Sequence, residues 1–198
     1  AAAGYYTLTS KDDPTLGTRT TLGNRYIIGS PLPTWFGGFT NTFGYKNLTL
    51  EVFLRYSGGN KVYNLTRQEV WNSTGFVNNG MEALQRWTTP GQVTEVPKLY
   101  YARDNQVNLN GQTNERFLEK GDFLRLQNVI FSYNVDGKRL EAASKGIVKS
   151  MRWFVQGQNL FVWTKYKGID PENRSELGID NASVPQLRSF TFGLNVGF

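Results

Sequence analysis

A chain of 198 residues is one domain or slightly more, and its net charge of +6 comes from Lys and Arg that never form a run, so the basic balance reads as solvated surface rather than a nucleic-acid footprint. The absence of cysteine excludes a disulfide framework and thiolate chemistry, and the absence of histidine removes the commonest metal ligand and general base. No apolar run approaches the ~20 residues of a membrane-spanning helix, which leaves open a membrane crossed by strands of ~10 alternating residues.

Residues 1–33 form a lead-in. Tyr5, Thr7 and Thr9 alternate with Tyr6 and Leu8 as a short strand, and Lys11-Asp12-Asp13-Pro14 reads as a turn whose carboxylates lack the alternation of a calcium loop. Pro31-Leu32-Pro33 then opens a hairpin over 34–57. Its first strand places Trp35, Phe39, Phe43 and Tyr45 on one face and Gly38, Thr40, Thr42 and Gly44 on the other. Lys46-Asn47 is the tight turn. The return strand puts Leu48, Leu50, Val52, Leu54 and Tyr56 on one face against Thr49, Glu51, Phe53, Arg55 and Ser57 on the other. That division fits a strand between lipid and a wet lumen, and equally a half-solvated antiparallel sheet.

A long excursion occupies 58–116. Thr66 and Glu69 have capping-box spacing for a helix start, and Met81, Leu84 and Trp87 recur at helical spacing with Glu82 and Arg86 paired at i, i+4. Pro90-Gly91 ends that segment. So long a connection between strands is expected to be functional or a lid. The candidate contact residues for cargo or a partner are Trp71, Phe76, Tyr100, Tyr101 and Arg103. Such aromatics stack on sugar rings or peptide side chains, or they pack inside an ordered loop.

The final strands run over 117–198. Val129, Phe131, Tyr133 and Val135 form one apolar face, with Ile130 breaking the polar one, whereas upstream Leu124 and Leu126 fall on the opposite parity. The lipid-facing part is therefore the second half alone, unless a bulge switches the faces. Met151, Trp153, Val155, Asn159, Phe161 and Trp163 oppose Arg152, Gln156, Gln158 and Thr164, with the two tryptophans near the strand ends, where an aromatic girdle sits. After a charged loop holding Asp170-Pro171-Glu172, the chain alternates Phe190, Phe192, Leu194, Val196 and Phe198 with Thr191, Gly193, Asn195 and Gly197. One face is apolar and the other small or polar, the pattern of a transmembrane barrel strand.

No motif carries enzyme chemistry. Glu51, Glu69, Glu82, Asp104 and Glu172 are carboxylates without a recognisable pairing, and no Walker loop, dinucleotide fingerprint, nucleophile elbow or HExxH is present. The chain reads as a non-enzyme without a cofactor or metal. The sequons at Asn47, Asn64, Asn72 and Asn181 read as accidents of an Asn- and Thr-rich composition.

Several stretches together resemble the C-terminal end of one family, the SusC-like TonB-dependent outer-membrane transporters. In order they are Gly38-Phe39-Thr40-Asn41-Thr42 with Tyr45-Lys46-Asn47-Leu48, Trp87-Thr88-Thr89-Pro90-Gly91 with Val96-Pro97, and Arg116-Phe117-Leu118-Glu119. Phe123 to Val129, Gln158-Asn159-Leu160-Phe161, Thr164 to Glu172 and Phe190 to Phe198 complete the series, which covers roughly residues 25 to 198. The resemblance implies an all-β, antiparallel, 22-stranded barrel in the outer membrane of a Gram-negative bacterium, closed by an N-terminal plug. Such a barrel imports glycans or peptides with a SusD-like surface lipoprotein and a TonB complex. Of that pattern these residues carry the last five or six strands, with long external loops bearing short helices, and neither the plug nor the TonB-contacting segment. They are therefore expected to be one piece of a larger barrel, in contact with outer-membrane lipid, and not to bind nucleic acid. Phe190, Phe192, Leu194, Val196 and Phe198 are expected to form its barrel-assembly signal, the terminal aromatic entering a pocket of the assembly machinery. The rival from another class is a soluble β-sandwich carbohydrate-binding module, which requires charged residues on its outer strand faces.

Overall fold

The computed structural model describes residues 27–71, 78–96, 98 and 115–198. Its elements are β1 (Trp35–Tyr45), β2 (Leu48–Gly58), β3 (Lys61–Asn64), α1 (Leu65–Val70), β4 (Leu118–Lys120), β5 (Phe123–Val135), α2 (Gly137–Ser144), β6 (Ser150–Thr164), β7 (Ile179–Asp180) and β8 (Ser189–Gly197). Among the described residues no helix is long and apolar enough to cross a membrane, a statement that does not concern strands. The described residues divide into two compact units, one holding 27–31, 61–71, 78–96, 98, 115–119 and 174–183 and the other 32–60, 120–173 and 184–198.

The second unit is a five-stranded antiparallel sheet in the order β1-β2-β5-β6-β8. Its first hairpin forms as the alternation predicts, with Tyr45 opposite Leu48 and Trp35 opposite Gly58. Lys46 takes φ 53 in the tight turn, a backbone state that few side chains accept without local support. Support comes from its neighbour: the Asn47 carbonyl accepts from Asn134 N at 2.8 Å and the Asn47 amide donates to the Asn134 carbonyl at 2.7 Å. Gly58 is required by packing, because the Trp35 indole lies over it where a Cβ would stand.

A bulge in β5 keeps the sheet two-faced. Leu54 pairs with Leu126 and Phe53 with Asn128, so Gln127 is an extra residue without a partner on β2. Against β6, the pairs Leu126–Phe161 and Asn128–Gln158 leave Gln127 facing two residues, Asn159 and Leu160. One extra residue reverses the parity of β5, and two extra residues preserve that of β6. Asn159 adopts φ 52, so it marks the irregularity and is not an ordinary member of the apolar face, as its sequence parity suggested. Its side chain accepts from Gln127 Nε2 at 2.8 Å and donates to the Leu187 carbonyl at 3.1 Å, which holds the bulge shut.

The first unit is built around a small core of Trp71, Val96 and Phe117, with Tyr63 packed against it. Its three-stranded sheet has the order β4-β3-β7, with β3 and β7 parallel. The helix in this segment starts two residues earlier than Thr66 would place it. Asn64 is the cap, its Oδ1 accepting from Arg67 N at 2.8 Å, so Leu65 is already helical. Thr66 Oγ1 instead donates to Asp180 at 3.2 Å. Replacing Asn64 by Ala should cost this local structure about 1 kcal/mol. Faster hydrogen exchange at the Arg67 amide is the readout, and unchanged exchange would mean that another group caps the helix.

The second helical segment is also shorter than its periodicity suggested, a 3-10 helix over Met81–Gln85 followed by extended Arg86. The expected Glu82–Arg86 pair does not form. Glu82 instead accepts from Arg67 at 3.0 Å, and Trp87 N donates to the Val96 carbonyl at 3.0 Å. Those long-range partners draw the backbone out of the helix, an effect that local spacing cannot register.

Candidate functional site

The register of the five strands lines up one continuous apolar face. Phe43, Leu50, Phe131, Val155 and Phe192 form one row across it, and Asn41, Val52, Val129, Gly157 and Phe190 the next. Beyond the bulge the face continues through Phe39, Leu54, Leu126 and Phe161, then through Gly37, Tyr56, Leu124 and Trp163. The parity switch at Gln127 is what keeps Leu124 and Leu126 on it. Phe43, Phe131, Trp153 and Phe192 remain 56%, 46%, 55% and 77% exposed, whereas a sandwich strand would bury this side against a second sheet.

Aromatic residues close both ends of the face. Tyr45, Tyr133 and Trp153 sit at the end with the short turn, and Trp35, Tyr56 and Trp163 at the other. Trp35 and Tyr45 are ten strand steps apart, about 34 Å along the strand. At the ~40° tilt usual in membrane barrels this spans about 26 Å of depth, close to the ~25 Å apolar band of such barrels.

The opposite face is polar and internally bonded. Gln156 Nε2 donates to Asn128 Oδ1 at 2.8 Å, Arg152 to Ser132 Oγ at 3.1 Å, and Ser189 Oγ to Gln158 at 3.2 Å. Its glycines, featureless in the sequence, serve as seats for rings: Phe53 lies over Gly38 and Phe154 over Gly193. Ile130 lies on this face between Glu51 and Gln156.

Toward the end of this face where β2 ends and β5 begins, the register sets Arg55 directly opposite Arg125. Like charges across a strand pair repel, and the loop after β6 resolves the conflict. Glu172 accepts from Arg55 at 2.7 Å through one oxygen and from Arg125 Nε at 2.8 Å through the other. Asp170 accepts from Arg125 Nη2 at 2.7 Å and from the Glu172 amide at 3.0 Å. Both guanidinium groups also lie over the Phe123 ring, at 5.9 and 5.6 Å from its centroid. Arg125 and Asp170 are buried, so the network ties 170–172 to the sheet, with Arg55 at its exposed edge. Sequence reading found Asp170-Pro171-Glu172 in a charged loop and in one of the stretches that carry the resemblance, without a partner on the strands. The signal for the clamp was the pair Arg55 and Arg125, legible once the strand register is known.

Of the residues expected to contact cargo or a partner, Trp71 is described, and it is buried. Its ring packs edge-on against Phe117 at 5.9 Å and lies between Arg67 and Arg116, whose guanidinium carbons stand 4.8 and 4.3 Å from its centroid. Trp71 is therefore a core residue of the first unit, not an exposed contact. Burial pushes the Arg116 guanidinium down to about 10, still charged at neutral pH. Phe76, Tyr100, Tyr101 and Arg103 lie outside the described residues, as does the lead-in strand expected near Tyr5. Phe190, Phe192, Leu194 and Val196 share the apolar face of β8, an edge strand of the sheet, and Phe198 follows it, 77% exposed.

No protein-family model matches the chain. Among curated proteins it is similar to TonB-dependent receptor P3 of Formosa agariphila, 31% identical over 185 residues that cover 88% of this chain and 17% of that relative. It is also similar to the TonB-dependent receptor SusC of Bacteroides thetaiotaomicron, 27% identical over 187 residues that cover 89% of this chain and 16% of that relative. Among solved structures it superposes on the RagAB peptide transporter with a TM-score of 0.83 at 25% identity, over 99% of this chain and 21% of that one. The chain thus spans about a sixth of the length of these curated receptors. Sequence and fold together place it among the SusC-like TonB-dependent receptors, as a segment of antiparallel strands with one apolar and one polar face.

Proposed function

We propose that these residues are part of the wall of an outer-membrane barrel that takes up nutrients, with the apolar face toward lipid and the polar face toward the lumen. The observation that carries this reading is the bulge at Gln127, which spends a strand irregularity on keeping the outer face apolar from Tyr133 to Leu124. Both edges of the sheet, β1 and β8, need further strands, because lipid cannot satisfy an open ladder. A barrel of about 22 strands, a plug and a TonB-contacting segment would come from the rest of the receptor. The long connections 59–122 and 165–188 would then be external and the short turns periplasmic. The cargo is a glycan or a peptide, delivered with a SusD-like lipoprotein. The solved RagAB transporter, described as a peptide transporter, favours the peptide. The alternation from Phe190 to Phe198 would give β8 a defined register for pairing with an assembly machinery.

The test is made on the full-length receptor in its own cells. Because these residues contain no cysteine, a single cysteine placed here in a cysteine-free receptor reports its own side. At Lys167 or Ser175 it should react with an impermeant maleimide added to intact cells, and at Lys145 only after the outer membrane is opened. Purification in mild detergent should bring down a lipoprotein, and deleting the receptor gene should abolish uptake of an oligopeptide or an oligosaccharide. A receptor recovered in the soluble fraction, or labelling with the sides reversed, would end this reading.

A further inference from the structure

The end of the sheet with the short turn carries an ordered cluster of cations that neither the wall nor the import reading uses. The β1–β2 turn is hydrogen-bonded to the end of β5 through Asn47 and Asn134, and Lys149 N donates to the Gly197 carbonyl at 2.8 Å. These bonds bring Lys46 and the 136–149 connection to one end of the sheet. The connection is well built: Asp136 caps α2 by accepting from Lys138 N at 3.1 Å, Lys145 takes the left-handed φ 56, and Gly146 N returns to the Glu141 carbonyl at 2.9 Å.

On this frame stand Lys46, Lys138, Arg139, Lys145 and Lys149, all exposed, against two carboxylates, Asp136 and Glu141. Residues 165–173, which follow β6 at the opposite end of the sheet, hold two cations and two carboxylates. The excess is therefore particular to this end. Among the described residues none of the four lysines is in an ion pair, and Arg139 reaches Asp136 only at 4.0 Å. The Lys46 ammonium stands 5.4 Å over the ring of Tyr45, itself part of the aromatic border of the apolar face. Ile147 lies between Lys145 and Lys149 and is 65% exposed. An apolar side chain amid unpaired lysines, just beyond a belt of Tyr45, Tyr133 and Trp153, has the chemistry of a headgroup layer: the belt marks the interface, and long cationic stems extend to the phosphates.

We infer that this end of the sheet binds the phosphate groups of anionic glycerophospholipids, a reading that rests on the sheet standing in a membrane. The full-length receptor is placed in nanodiscs of phosphatidylcholine alone or mixed with phosphatidylglycerol, and bound lipid is counted by native mass spectrometry after release. Phosphatidylglycerol should be retained in preference, and amine-reactive labelling of Lys46, Lys138, Lys145 and Lys149 should fall in the mixed bilayer while Lys165 and Lys167 are unchanged. Each cation converted to Gln should weaken retention roughly fivefold, whereas the same lysines converted to Arg should keep it. Equal retention by the Gln and Arg variants would overturn the inference, as would displacement of the lipid by inorganic phosphate at matched ionic strength. The membrane reading fails separately. If a cysteine at Val52 reacts as fast with a charged maleimide as with a lipid-soluble one, the face itself is wet, whatever the lysines bind.

Discussion

Replacing Arg125 by Met in the full-length receptor should destabilise the wall and its loop by about 3–5 kcal/mol, because removing one partner of a buried ion network leaves the other charges stranded. The geometry says which charge is stranded. Glu172 keeps Arg55 at 2.7 Å, whereas Asp170 loses Arg125 at 2.7 Å, its only ion-pair partner among the described residues, and stays buried. The second substitution Asp170→Asn should therefore recover part of the loss, while Glu172→Gln should recover less. Lysine at 125 should not rescue, since a point charge cannot reproduce the fork that meets Asp170 through Nη2 and Glu172 through Nε. Two measurements check this: the denaturant midpoint of the receptor in detergent, and protease cleavage between Lys165 and Asn173, which should appear only when the clamp is gone. An Arg125→Met receptor with wild-type midpoint and an uncut loop would show that the network is decoration on an otherwise fixed loop.

The parts of this structure that were legible in the sequence are those governed by period. Alternation located β1, β2, the second half of β5, most of β6 and β8, and Lys46-Asn47 read as the turn it is. The conflict of parity between Leu126 and Val129 left two readings, an outer face confined to the second half of β5 or a bulge, and the register decides for a bulge at Gln127. Features decided by contacts far apart in sequence were not legible. Arg55 and Arg125 are separated by the whole excursion, so nothing local announces that they face one another or that Asp170 and Glu172 are needed between them. Trp71 has the composition of an exposed binding aromatic, and only the arrival of Phe117 and Arg116 from the far end of the excursion buries it. The cap at Asn64 was hidden for a different reason. Thr66 and Glu69 offered a better-known pattern two residues on, and the pairing of Asn64 with Asp180 on β7 fixed the strand end one residue before the helix.

The sharpest test of the two-faced wall combines charge with parity. Arg introduced at Leu50, Val52, Val129 or Leu194 should each cost about 2–4 kcal/mol if these positions face the middle of a bilayer. Arg at Thr49 or Thr191, one residue away on the opposite face, should be tolerated. Leu126 discriminates further. By simple alternation from Val129 it belongs with the polar face, but the register pairs it with Leu54 and Phe161. Leu126→Arg should therefore be as damaging as its exposure to lipid at that depth requires, and not benign. Deleting Gln127 should be milder than any of these outer-face charges. Removing the extra residue leaves Asn128 opposite Phe53 and Leu126 opposite Leu54, so Leu124 and Leu126 stay on the outer face and Arg125 stays beside Asp170 and Glu172. What is lost is the Gln127–Asn159 hydrogen bond at the bulge, so folded, heat-resistant receptor should still reach the outer membrane, at a somewhat lower level. The assay is the level of that form in outer-membrane fractions across the series. Equal damage at both parities would mean that both faces are covered by protein, and loss of the folded form without Gln127 would mean that this residue does more than set the parity of β5.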